Sequence, residues 1–192
     1  MSEPGAGQPQ SKGGLTYADY AALPDDGQRY QLVEGELMMT PSTTSWHQWT
    51  AGRLFTVLTQ HVETHALGKV LFAPLDVVLD DRTVVQPDIL FIATTRASIL
   101  QDANVKGAPD LCVEILSPGS ESLDRVRKLG LYARFGVAHY WIVDIAARSI
   151  EEYVLHGDVY RVRSVSSNDH DFCPAAFPGL TFRLASVGLP EN

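Results

Sequence analysis

The sequence predicts a mixed α/β fold built on a central sheet, with helices flanking it and extra strands before and after the core. Three observations carry that prediction. Between Ser45 and His65 the apolar residues Trp46, Trp49, Leu54, Val57, Leu58 and Val62 recur at helical spacing. Two short runs, Leu111–Leu116 and Tyr140–Val143, are apolar on both faces, as in interior strands covered on two sides. The segment between those runs ends at Gly136, a residue placed to terminate a helix, so a strand, a helix and a strand follow one another.

The remaining elements follow in order. Residues 1–14 are Gly, Pro, Ser and Gln with almost no apolar content, and read as a disordered tail ahead of one domain spanning 15–192. Thr16 is suited to cap a short helix from Tyr17, which Pro24-Asp25-Asp26-Gly27 stops. Strands are predicted near Tyr30–Glu34 and Glu36–Thr40, hinged at Gly35, before the long helix. After Gly68, strands are predicted at Val70–Ala73, Leu75–Leu79 and Asp88–Ile92, with Asp80-Asp81 as a turn. Ser120 or Ser122 caps the helix that runs to Phe135. Ile150–Leu155 and Val159–Val165 form a hairpin about His156-Gly157-Asp158, and a last short strand follows Phe177-Pro178-Gly179-Leu180.

Composition narrows the function. No run approaches the roughly 20 apolar residues of a membrane helix. The opening residues hold no apolar stretch that suits a secretory signal, so a cytoplasmic protein is expected. Two cysteines, Cys112 and Cys173, are too few for a disulfide framework or a cysteine-ligated zinc site. The 15 basic against 23 acidic residues give a formal charge of −8, which repels a polyanion at long range and confines any nucleic-acid contact to a local surface.

Glu114 is the most informative residue. An ionisable group inside a doubly covered strand is costly unless it is paired, protonated or bound to a cation. Asp88 follows Pro87 at the start of another apolar strand, and two carboxylates on neighbouring strands suit a hard divalent cation. The plainer alternative pairs Glu114 with an arginine and leaves Asp88 ending a turn. On the following helix Asp124, Lys128 and Tyr132 fall at i, i+4 and i+8, on one stripe with Leu131 and Phe135 nearby. A lysine there can orient a water or offset developing negative charge. The competing reading is an Asp124–Lys128 surface ion pair.

One ordered series then carries a resemblance: Tyr30 to Leu37 (YQLVEGEL), Pro87-Asp88, Glu114-Ile115-Leu116-Ser117-Pro118, Asp124, Lys128, Tyr132, Gly136-Val137 and Tyr140 to Asp144 (YWIVD). Over residues 15–190 the chain resembles the putative restriction endonuclease domain family of bacteria. The resemblance implies a restriction-endonuclease-like fold of the PD-(D/E)xK superfamily, in which an aspartate and a glutamate bind Mg²⁺ or Mn²⁺ and a lysine helps to activate water. Asp88 and Glu114 match the two acids, and the carbonyl of Ile115 joins them as a metal ligand. Leu116 stands where the superfamily usually has its lysine, and the resemblance assigns the amine to Lys128 on the next helix. Glu34 matches an acid of the opening strand pair, expected to support the metal through water. Tyr132 and Asp124 are expected to position Lys128, and His47 matches a histidine near the start of the long helix. His139 stands where a glutamate commonly precedes the Tyr-Trp pair.

The expectation is therefore an endonuclease that hydrolyses phosphodiester bonds of nucleic acid, DNA above all. Its alternative is a catalytically inactive nucleic-acid-binding or protein-interaction module of the same fold, which the −8 charge and Leu116 favour. A metal-dependent enzyme acting on another phosphoester is a third reading. Trp141 and the apolar strand edges are the expected contacts of a homodimer. His61 and His65, at i and i+4, lack the glutamate of a helical zinc motif. Cys112 reads as a small core residue.

Overall fold

The computed structural model describes residues 14–40, 42–117 and 123–187, with the backbone alone at 123 and 124. A short helix α1 (Tyr17–Ala21) is closed by a capping box, Thr16 Oγ1 accepting from the Asp19 N–H and the Asp19 carboxylate accepting from the Thr16 N–H. The strands β1 (Arg29–Val33) and β2 (Glu36–Thr40) form a hairpin, and α2 (Ser45–Thr64) follows, capped by Thr44. Next come β3 (Gly68–Phe72), β4 (Val77–Asp80), β5 (Thr83–Val85), β6 (Ile89–Ala93), β7 (Val105–Lys106) and β8 (Leu111–Ile115). A π-helical turn (Leu123–Lys128) runs into α3 (Leu129–Phe135), and β9 (His139–Asp144), β10 (Ser149–His156), β11 (Val159–Ser167), β12 (Asp171–Phe172) and β13 (Phe182–Arg183) complete the chain.

Six strands form one mixed sheet in the order β11-β10-β9-β8-β6-β3, in which β8 and β9 run parallel and the other neighbours are antiparallel. The parallel pair is the one that α3 joins, as a crossover connection requires. A second sheet orders its strands β2-β1-β5-β4-β7. Strand β8 alternates between two cores. Leu111, Val113 and Ile115 pack with Leu54, Leu58 and Val62 of α2, whereas Cys112 and Leu116 pack with Leu131 and Tyr132 of α3. Among the described residues no helix is long and apolar enough to cross a membrane.

The predicted elements at Glu36–Thr40 and along α2 form with boundaries within a residue, and Gly136 ends α3 in the left-handed conformation at φ 80°. Strands β5 and β7 were not foreseen, because three and two residues carry no readable alternation. The candidate caps Ser120 and Ser122 lie outside the described residues. Strand β3 opens at Gly68, two residues before its predicted start at Val70. A Cβ on Gly68 would stand 2.1 Å from the Ile92 carbonyl oxygen across the β3–β6 pair. Gly68→Ala should therefore destabilise the protein by about 1–3 kcal/mol in urea unfolding; an unchanged midpoint would show that the strands separate freely.

Trp141 is corrected from its expected place at an interface. It is 0% exposed, on β9, with Phe172 and Phe177 packed edge-on against its ring at centroid distances of 5.0 and 6.1 Å. The β12–β13 hairpin and the loop between its strands cover the sheet at this point, so no surface remains there for a second chain. The His61 and His65 rings lie against each other, tilted by 34° with centroids 4.3 Å apart, and the His61 ring also meets Phe177.

Candidate active site

The site forms where β6 begins and β8 ends. The pairing Ile89↔Val113 continues to set Asp88, one residue before β6, opposite Glu114. The backbone ladder between β6 and β8 ends at that pair, and the Asp88 carboxylate takes up the next free N–H of β8 in its place. Asp88 Oδ2 accepts from the Ile115 N–H at 2.8 Å and contacts His47 Nε2 at 3.1 Å. His47 sits in the first turn of α2, fixed because its own N–H donates to Thr44 Oγ1. Burial works against its protonation, but the hydrogen bond and charge of Asp88 outweigh burial and raise the imidazole above its ordinary range.

Glu114 shares the phase of Cys112 and so faces α3. It is 3% exposed, and its Oε1 is met by Lys128 Nζ at 2.8 Å and by the Tyr132 hydroxyl, which donates at 2.8 Å. Lys128 and Tyr132, four residues apart, thus reach one carboxylate oxygen together. Lys128 is itself 3% exposed, which removes the reading in which it forms a surface pair with Asp124. Burial first, then the charge of Glu114, pushes the Tyr132 hydroxyl well up, so it remains a proton donor. The Cys112 thiol is raised by the same two causes, and it is an inert core group. The helical turn that carries Lys128 is anchored by Arg125, whose guanidinium bridges Glu151 (2.6 Å) and Asp144 (3.1 Å).

Five of the seven expected residues are therefore brought together in two linked groups, His47 with Asp88 and Lys128 with Tyr132 on Glu114. Glu34 is not among them. Its carboxylate pairs with Arg134 at 2.7 Å on the surface, as Glu36 pairs with Arg127 at 2.9 Å. The Asp124 side chain lies outside the described residues. Sequence reasoning passed over the cleft of about 350 Å³ that opens at Asp88 and His47, bordered by Arg29, Thr43, Gln48 and Phe72. No spacing rule marks these positions, because they come from β1, the loop before α2, α2 itself and β3.

No three His, Cys, Asp or Glu side chains gather into a ready-made metal cluster among the described residues. The donors present nonetheless fit a cation such as Mg²⁺, which keeps several waters and takes one or two carboxylates with substrate phosphate. Asp88 Oδ1 accepts no hydrogen bond among the described residues, and a second hard carboxylate, Glu114, lies on the neighbouring strand β8.

Comparison with known proteins agrees with this architecture. A crystal structure from Anabaena variabilis, titled as that of a putative nuclease belonging to DUF820, superposes with a TM-score of 0.73. It covers 90% of this chain and 97% of its own at 16% identity, a likeness of fold. No curated protein matches the chain. A family model described as "Putative restriction endonuclease" matches residues 17–186, nearly all of the α/β architecture described above, and the chain belongs to that family, Uma2.

Proposed function

We propose that the protein is a Mg²⁺-dependent nuclease that hydrolyses phosphodiester bonds of DNA. The carrying observation is the pair of carboxylates on adjoining strands, one buried against a lysine and a tyrosine, the other open to a cleft. Asp88 and Glu114, with the Ile115 carbonyl, would hold the cation; Mn²⁺ would serve in the same donor set. Bound there, a divalent ion supplies Lewis-acid polarisation of the phosphate and a more acidic water. The chain's own residues do the rest. Ile115 N–H and His47 hold the Asp88 carboxylate through Oδ2 at the border of the cleft. Lys128 offsets the Glu114 charge within the protein and is the amine that orients the attacking water, and Tyr132 holds the same oxygen. Family membership supports nuclease chemistry.

The test uses Asp88→Ala and Glu114→Gln, the second chosen to keep a hydrogen-bonding group beside Lys128. Both should reduce Mg²⁺-dependent cleavage of plasmid and oligonucleotide DNA to the uncatalysed background, and both should weaken saturable Mn²⁺ binding in calorimetry. Unchanged cleavage in the two folded variants would sink the proposal. DNA binding by the wild type without hydrolysis would favour the inactive binding module, for which Leu116 speaks.

A further inference from the structure

The cleft at Asp88 has a wall that the hydrolytic chemistry does not need. Phe72, the last residue of the edge strand β3, lines it while remaining 58% exposed. Phe55 of α2 packs T-shaped against it, with centroids 4.7 Å apart and planes at 63°, which fixes the ring in place. Ala51, Gly52 and Ala73 complete the apolar lining with small side chains, and nothing lies within 4 Å of a Cβ built on Gly52. A rigid, half-exposed phenyl beside small residues is a stacking platform for a flat ring. The volume of about 350 Å³ stands at the lower end of the ~300–1,000 Å³ typical of small-molecule sites, the size of one nucleoside rather than a duplex.

Charge points the same way. Arg29 is the one Lys or Arg that borders the cleft among the described residues, in a protein of formal charge −8. Gripping a continuous duplex rests on neutralising many phosphates, and each phosphate contact steepens the salt dependence. Extended single strands also need a positively charged groove beside their stacked bases, so a cleft with one arginine and one exposed ring suits a single unstacked nucleotide. A base inside a duplex cannot reach such a ring without leaving its stack.

We propose that this cleft is a nucleotide pocket that receives one unstacked base against Phe72, with Arg29 toward its phosphate, so that the strand delivered to Asp88 is single-stranded or splayed. This rests on the nuclease reading and names the form of nucleic acid that reading leaves open.

The experiment measures fluorescence anisotropy of a labelled oligothymidylate and of a hairpin duplex of equal length, with Ca²⁺ replacing Mg²⁺ to hold off cleavage. The single strand should bind about 10-fold or more tightly than the duplex, with a shallow log–log salt slope of about −1, as one or two phosphate contacts give. Phe72→Ala should weaken single-strand binding by roughly 5- to 150-fold, the range for one lost base stack, and Phe72→Tyr should restore it. Melting curves of both variants confirm that the exposed edge position leaves the fold intact. Equal or tighter duplex binding, or affinity indifferent to Phe72, overturns the inference. If cleavage still depends on Asp88 in that case, the nuclease reading stands without it. Stacking-dependent single-strand binding by a chain that cleaves nothing would uphold the pocket and remove the nuclease.

Discussion

Lys128→Met is expected to destabilise the protein by about 3–5 kcal/mol, because it removes the ammonium that meets the buried Glu114 carboxylate at 2.8 Å. Glu114 and Lys128 are each 3% exposed, so water does not replace the lost partner. The double variant Glu114→Gln/Lys128→Met should recover most of that loss, since it removes both charges and retains a group to accept from Tyr132. Urea unfolding of the two singles and the double gives the coupling directly. A single variant within about 0.5 kcal/mol of wild type would mean that the two charges are solvated. The double variant should be stable, which isolates the part the charge pair plays in folding.

Trp141→Ala should cost about 3–5 kcal/mol, the range for truncating a large core aromatic. The indole is 0% exposed between β9 and the residues Phe172 and Phe177, so its removal opens a cavity under the β12–β13 hairpin. Sedimentation of the wild type and the variant should give the same oligomeric state. A variant that keeps its stability and changes its association would restore Trp141 to an interface.

The site was legible in proportion to how far each residue violated its local pattern. Glu114 interrupts an apolar run, so its need for a partner could be read directly, and the helical stripe of Lys128 and Tyr132 suggested which partners. The structure supplies both on a single oxygen. Asp88 and His47 carried weaker signals, 41 residues apart, and meet only because the first turn of α2 packs beside the start of β6. Glu34 reads well as a motif residue yet turns outward to Arg134; it stands at φ 55° in the hairpin turn, and a turn side chain is aimed by backbone geometry that sequence spacing does not express.

Taken by itself, the sequence determined the α/β order, the long helix, the two interior strands and the need of Glu114 for a partner. These follow from periodicity and from the energetic cost of burying charge, both of which act over a few residues. Tertiary structure alone decided that Trp141 is core and not interface, that Lys128 is buried on Glu114, and that Phe55, Phe72 and Arg29 converge on the cleft at Asp88. The physical reason is range: a side chain's exposure and its partners across a sheet depend on which elements pack together, and that packing is a property of the whole chain.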